Sequence, residues 1–173
     1  MSAVLTCEIA PGRWIGDGQP CFVIAEIGSN HNHDFSLATR MIDEAAAAGV
    51  DAVKFQTFRA ESHYSVHTPN FSSLEGGSTF ELVKSLELDR SWHAPLKKYC
   101  ESLNLVFLSS PCDIDAIDEL DKLDIAALKV PSCELSDLSL VRHMAQTGRP
   151  IILSTGLADW MDIQRAVDTC RGV

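Results

Sequence analysis

Residues 105–130 read LVFLSSPCDIDAIDELDKLDIAALKV, and this stretch decides the fold. The run at 105–109 is apolar and short, as expected of a strand buried on both faces. Residues 113–122 then read as a helix, and a second apolar strand follows at 125–130. Two strands joined through a helix run parallel, because only a crossover connection returns the chain to the starting edge of the sheet.

The same alternation extends in both directions. Toward the C-terminus come a helix at 137–147, with Ser136 as candidate N-cap, a strand at 150–154 and a helix at 159–171. Toward the N-terminus, CFVIAEI (21–27) is a nearly all-apolar strand, preceded by a short strand at 13–15 and a Gly-rich turn at 16–18. A helix spans 35–48, with Leu37, Met41, Ile42 and Ala45 on one face and Gly49 ending it. Residues 50–57 form the next strand. The segment 58–77 is irregular, a length that usually marks a functional or mobile loop, and helical stretches follow at 78–87 and 91–103. Five apolar strands, each followed by helix, require a parallel sheet with helical crossovers. An open doubly wound sheet and a (β/α)8 TIM barrel both fit this pattern. A full barrel takes eight units and about 250 residues, so these residues would supply five.

Of the 173 residues, 46% are hydrophobic and 22% charged, the balance of one soluble globular domain. The net charge of −10 argues against nucleic acid as a partner, since phosphate backbones need clustered Lys and Arg. It does not exclude a small anion held by a few local cations. The six cysteines, at 7, 21, 100, 112, 133 and 170, form no CxxC pair, and most are expected to be reduced core residues in a cytoplasmic protein. The N-terminus has neither the basic start nor the apolar run of a signal peptide. No stretch reaches the roughly 18 apolar residues of a membrane span.

The polar residues fall in one place. The strand runs end on Glu26, on Lys54 and Gln56, on Ser109 and Ser110, on Lys129 with Ser132 and Glu134 in its loop, and on Ser154 and Thr155. In barrels and open α/β sheets alike, the C-terminal strand edge is where ligands bind. Lys54 and Lys129 stand out, because each is embedded in an apolar segment (AVKF, ALKV) of a chain with only six lysines. An ammonium buried without a partner is costly. Each lysine could pair with a structural carboxylate such as Glu26 or Glu134. Two at one edge, with Ser110, Ser132 and Ser154 beside them, point instead to a shared anionic ligand. Glu26 could serve as acid or base, or as half of a salt bridge. His31 and His33 make an HxH pair, but two metal ligands with no third nearby carry little weight. His63, His67, His93 and His143 carry no pattern and read as surface or packing residues, as do Trp14, Trp92 and Trp160.

The blocks AEIGSNHN (25–32), VKFQTF (53–58), LSSPCD (108–113), LKVPSCEL (128–135) and PIILSTGL (150–157), in this order, resemble the sialic acid synthase (N-acetylneuraminate synthase) family. The resemblance implies the first five β/α units of a (β/α)8 barrel, preceded by an N-terminal β-hairpin. The activity it implies is condensation of phosphoenolpyruvate with an N-acetylated hexosamine, giving a nonulosonic acid and phosphate, an activity expected to be incomplete in these residues alone. Matched by position, Lys54 and Lys129 would neutralise phosphoenolpyruvate with Ser110, Ser132 and Ser154. Glu26 would act near the reacting carbons, and Gln56 and Glu134 would contact the sugar. A divalent metal, Mn2+ or Mg2+, is implied as Lewis acid, with ligands on strands beyond these residues, where a C-terminal antifreeze-like domain is also expected. His33 stands where the family usually has Gly, which leaves the loop geometry there open. Five of eight β/α units cannot close a barrel, and their unpaired outer strands and uncovered inner face lead us to expect a longer chain or a homo-oligomer that covers the open side. Two rival readings are a non-catalytic phosphoenolpyruvate-binding or protein-interaction module derived from the barrel and an aldolase- or reductase-like open α/β protein.

Overall fold

The computed structural model describes residues 5–70 and 78–173; positions 71–77 of the irregular stretch lie outside the described residues. Two strands, β1 (Thr6–Ala10) and β2 (Arg13–Gly16), form an antiparallel hairpin across Pro11-Gly12, with Gly12 at φ 71 as the turn requires. The expected hairpin is therefore present, but its strands differ from those read in the sequence. Residues 13–15 pair backward with Thr6–Ala10, whereas the apolar run at 21–27 belongs to the main sheet as β3 (Ile24–Gly28).

That sheet continues through β4 (Ala52–Thr57), β5 (Val106–Pro111), β6 (Leu128–Val130) and β7 (Ile151–Leu153), all parallel and in sequential order. Sequential order separates the two architectures left open above. A doubly wound sheet reverses direction at a switch point, whereas a barrel adds each strand beside the last. The fold is a five-unit part of a (β/α)8 barrel, and β3 and β7 each have one strand neighbour among the described residues.

The helices are α1 (Phe35–Ala47), α2 (Ala60–His63), α3 (Thr79–Ser85), α4 (His93–Ser102), α5 (Ile114–Lys122), α6 (Leu138–Gln146) and α7 (Trp160–Arg171). Aspartates cap four of them. Asp34, Asp113, Asp137 and Asp159 accept first-turn N–H groups at 2.7–3.1 Å, each cap contributing about 1 kcal/mol. The cap of α6 is thus Asp137 and not Ser136, because its carboxylate reaches the N–H groups of both Ser139 and Leu140. No described helix is long and apolar enough to cross a membrane.

Strand alternation divides the side chains into two sets. Val53, Phe55, Phe107, Leu128 and Val130 pack against the helices with Ile42, Leu96, Leu120 and Met144. On the other face, Ile24, Ala52, Val106, Leu108, Ala127 and Ile152 meet Ile9 and Ile15 of the hairpin, which plugs the N-terminal end of the sheet. Lys54 and Gln56 continue the Ala52 row, so the inner face changes from apolar to polar along β4. All six cysteines are free, but only Cys100 is fully buried; Cys7, Cys21 and Cys133 are exposed. Trp160 is 85% exposed, against the packing role expected of it.

Candidate functional site

At the C-terminal ends of the strands lies a cavity of about 680 Å³, walled by Glu26, Lys54, Gln56, Ser110, Lys129 and Ser154, with His63, Tyr64, Cys112 and Cys133 on one side. The register explains the convergence. Glu26 of β3 pairs with Lys54 of β4, Gln56 of β4 with Ser110 of β5, and Lys129 of β6 with Ile152 of β7.

Lys54 is nearly buried, and its Nζ lies 2.5 Å from Glu26 Oε2 and 3.2 Å from Ser110 Oγ. Gln56 Nε2 donates to the other Glu26 oxygen at 3.4 Å. The carboxylate of Glu26 is thereby oriented from two sides while its side chain stays 48% exposed to the cavity. A β-bulge between Glu26 and Gly28 produces this aim, with Gly28 at φ 57. A Cβ at Gly28 would stand 3.2 Å from Glu26 Oε1 and 3.5 Å from Gln56 Nε2, so a side chain there would press on both groups as well as strain the backbone.

The two lysines differ. Lys54 has the carboxylate partner that a structural role needs. Lys129 makes no hydrogen bond or ion pair among the described residues; burial first, then the nearby Lys54 cation, hold its pKa below the ordinary lysine value. An unpaired, partly desolvated ammonium near a second ammonium favours an anion beside it.

Ser110 is buried against Lys54, and Ser154 lies at the cavity wall. Ser132 stands behind it, its Oγ accepting the N–H of Gly156 at 3.1 Å and tying the β6 and β7 loops together. Glu134 pairs with neither lysine. Its Oε1 lies 3.1 Å from His63 Nε2 at the end of α2. His63, assigned no role from the sequence, thus belongs to the site; its partner is remote in the chain and no periodicity links them.

Beneath the cavity, on the helix side, Thr57 Oγ1 joins His93 Nε2 (2.9 Å) and Ser109 Oγ (2.8 Å). Burial lowers the pKa of His93 to about 4, so the ring is neutral at neutral pH and braces β4 and β5. His31 and His33 do not converge on a common point. His31 is buried, accepts the His33 N–H at Nδ1 and packs on Trp92, whereas His33 Nδ1 donates to Glu87 O. His33 adopts φ 56, the left-handed conformation in which Gly is at ease, so the departure from the family pattern falls where Gly would cost least.

The profile of the NeuB family matches residues 41–173. Among curated relatives, N,N'-diacetyllegionaminic acid synthase of Legionella pneumophila is 36% identical over 161 residues, covering 90% of this chain and 45% of that protein. The N-acetylneuraminate-9-phosphate synthase of Homo sapiens is 34% identical, covering 94% and 46%. The chain therefore spans less than half the length of these relatives. Among solved structures, the N-acetylneuraminic acid synthetase of Leptospira borgpetersenii in complex with citrate superposes with a TM-score of 0.88 at 31% identity, covering 98% of this chain and 56% of that one.

Proposed function

The chain belongs to the NeuB family, and from that premise we propose that its cavity holds phosphoenolpyruvate on Lys129 and Lys54 beside an N-acetylated hexosamine. In the protein that contains these residues, the enol carbon of phosphoenolpyruvate attacks the open-chain aldehyde of the sugar. Water adds at the neighbouring carbon and phosphate leaves, giving a nonulosonic acid. The observation that carries this reading is Lys129, a cation with no ion pair among the described residues, at a strand edge lined by hydroxyls.

Each side chain has a share in it. Lys129 and Lys54 meet the anionic groups, with Ser110 and Ser154 supplying hydroxyls; Ser132 acts by holding the loop that carries Gly156. Glu26, aimed by Lys54 and Gln56, moves a proton at the reacting carbons or steers the water. Gln56 and Glu134 face the sugar. A divalent ion of the Mn2+ or Mg2+ kind prefers oxygen ligands. Glu26 and Glu134 are each engaged with a basic side chain, and no oxygen-rich set of three converges among the described residues. The donors here do not fit that ion, and no step above uses it.

The test is calorimetric titration of phosphoenolpyruvate into the 173-residue chain and its Lys129→Ala variant. Loss of one charge-assisted hydrogen bond should cost about 1.5–3 kcal/mol, roughly a 10- to 150-fold rise in Kd. Equal affinities would sink the assignment. Binding that persists in a longer protein with no phosphate release when the sugar is added would favour the non-catalytic module.

A further inference from the structure

Beside the cavity, with His63 and Cys112 on its wall and Glu134 next to them, three donors of a different chemical kind gather. His63 ends α2, Cys112 follows β5, and Glu134 lies in the single turn Ser132–Glu134 after β6. Their ligating atoms all lie within 4.8 Å of one another. The His63–Glu134 pair at 3.1 Å accounts for two of them. It does not account for the third, because Cys112 Sγ has only a weak contact, 3.8 Å, with Ser110 O.

Around a tetrahedral zinc ion, with bonds of about 2.0–2.3 Å, donor atoms stand roughly 3.3–3.7 Å apart. From separations of at most 4.8 Å, the three side chains need to draw together by no more than about 1.5 Å, within the reach of χ rotations in partly buried residues. One nitrogen, one sulfur and one oxygen form a borderline-soft set, which favours zinc-type ions over Mg2+ or Mn2+. Three protein ligands leave a fourth position open, toward the cavity or toward Cys133 on the same wall.

We propose that His63, Cys112 and Glu134 form a binding site for a thiophilic divalent ion of the zinc class. Burial pushes the Cys112 thiol up to about 12, so the metal-free site holds a thiol, whose proton passes to solvent as the sulfur–metal bond forms. The inference rests on the geometry of these three residues and stands or falls apart from phosphoenolpyruvate binding. Were both correct, the ion would take Glu134 away from the sugar, making the site inhibitory.

Co2+ serves as the probe, because a thiolate ligand gives it a sulfur-to-metal charge-transfer absorption in the near ultraviolet. The full chain, stripped with chelator and kept reduced with a phosphine, should take up one equivalent with that band, and Zn2+ should bleach it. Cys112→Ser should abolish the band. A Cys7→Ser, Cys21→Ser double variant should keep it, since those exposed thiols lie elsewhere. His63→Ala should weaken binding by at least the ~10–100-fold that loss of even an outer-shell partner costs. A wild-type chain without the band, or a band that survives Cys112→Ser, overturns the proposal. Should far-ultraviolet circular dichroism show Cys112→Ser misfolded, His63→Ala decides, and unchanged affinity in that variant overturns the proposal equally.

Discussion

The two ends of the parallel sheet both carry cavities and charges, yet they are wired differently. At the N-terminal end, a hollow of about 400 Å³ is lined by Arg13, Lys97 and Arg149 among others. Each of these cations has a carboxylate: Arg13 with Asp51, Lys97 with Glu101, and Arg149 with Asp121 and Asp124. At the C-terminal end, Lys54 is paired with Glu26, but Lys129 makes no ion pair or hydrogen bond among the described residues. A cation that is already satisfied holds the fold together; one that is not can answer to a ligand. By that criterion the smaller hollow is architecture and the larger is the proposed site, in line with the rule that barrels do chemistry at the C-terminal face.

The sharpest test of this division uses Glu26. In a longer synthase containing this segment, Glu26→Gln removes the charge and the proton-transfer capacity while keeping the shape. Turnover should fall by about 10²–10⁴. Phosphoenolpyruvate affinity should hold or rise, because Lys54 is released from its ion pair. A phosphate-release assay within a factor of about ten of wild type would reduce Glu26 to a structural partner of Lys54.

Arg149→Ala probes the opposite end and should do the reverse. The exposed Asp124 contributes little to the pair, as surface ion pairs generally do. The loss comes instead from the carbonyl of Ile125, which Arg149 bonds at 2.5 Å; the carbonyl of Asp121 keeps the N–H of Asp124 at 2.9 Å. Leaving the Ile125 carbonyl unsatisfied should cost about 1–3 kcal/mol, roughly 2–12 °C in Tm for a chain of this size. Phosphoenolpyruvate affinity, measured below the new Tm, should not change. If affinity fell with stability, the two ends would be coupled and the comparison would fail.

How much of this was legible in the sequence follows from what each feature depends on. The strands and helices were readable because short apolar runs and capped amphipathic runs are local patterns. So was the polar rim, since Glu26, Lys54 and Lys129 interrupt apolar strands. The hairpin partner was missed because Thr6–Ala10 is mostly exposed and offers no apolar run; it is a strand only because Arg13–Gly16 folds back on it. Which lysine would be paired was illegible as well, for it depends on the register of β3 against β4 and on a bulge. His63 was invisible for the same kind of reason. Its meaning comes from Glu134, brought near by the stacking of β/α units and not by spacing.

The smallest expected effect bears most directly on the unpaired cation. A lysine whose folded-state pKa is lowered is disfavoured as a cation by the fold, so at neutral pH Lys129 subtracts from stability. Lys129→Met keeps a similar apolar stem and drops the charge, and without ligand it should raise Tm slightly. The sign of the pH dependence follows from linkage. Between the lowered folded value and the ordinary value near 10.5, the unfolded chain binds more protons at Lys129 than the folded one, so wild-type stability gains with rising pH in that window. The advantage of Lys129→Met should therefore shrink as pH climbs toward 10.5. Other groups titrate there too, but they are common to both proteins and cancel in the difference. Phosphoenolpyruvate should reverse the order at neutral pH, stabilising wild type by mass action and the variant hardly at all. Calorimetric Tm values for both chains, from neutral to alkaline pH with and without phosphoenolpyruvate, measure all of this. A variant less stable than wild type without ligand would mean that Lys129 has a partner in solution, and the contrast between the two ends of the sheet would disappear.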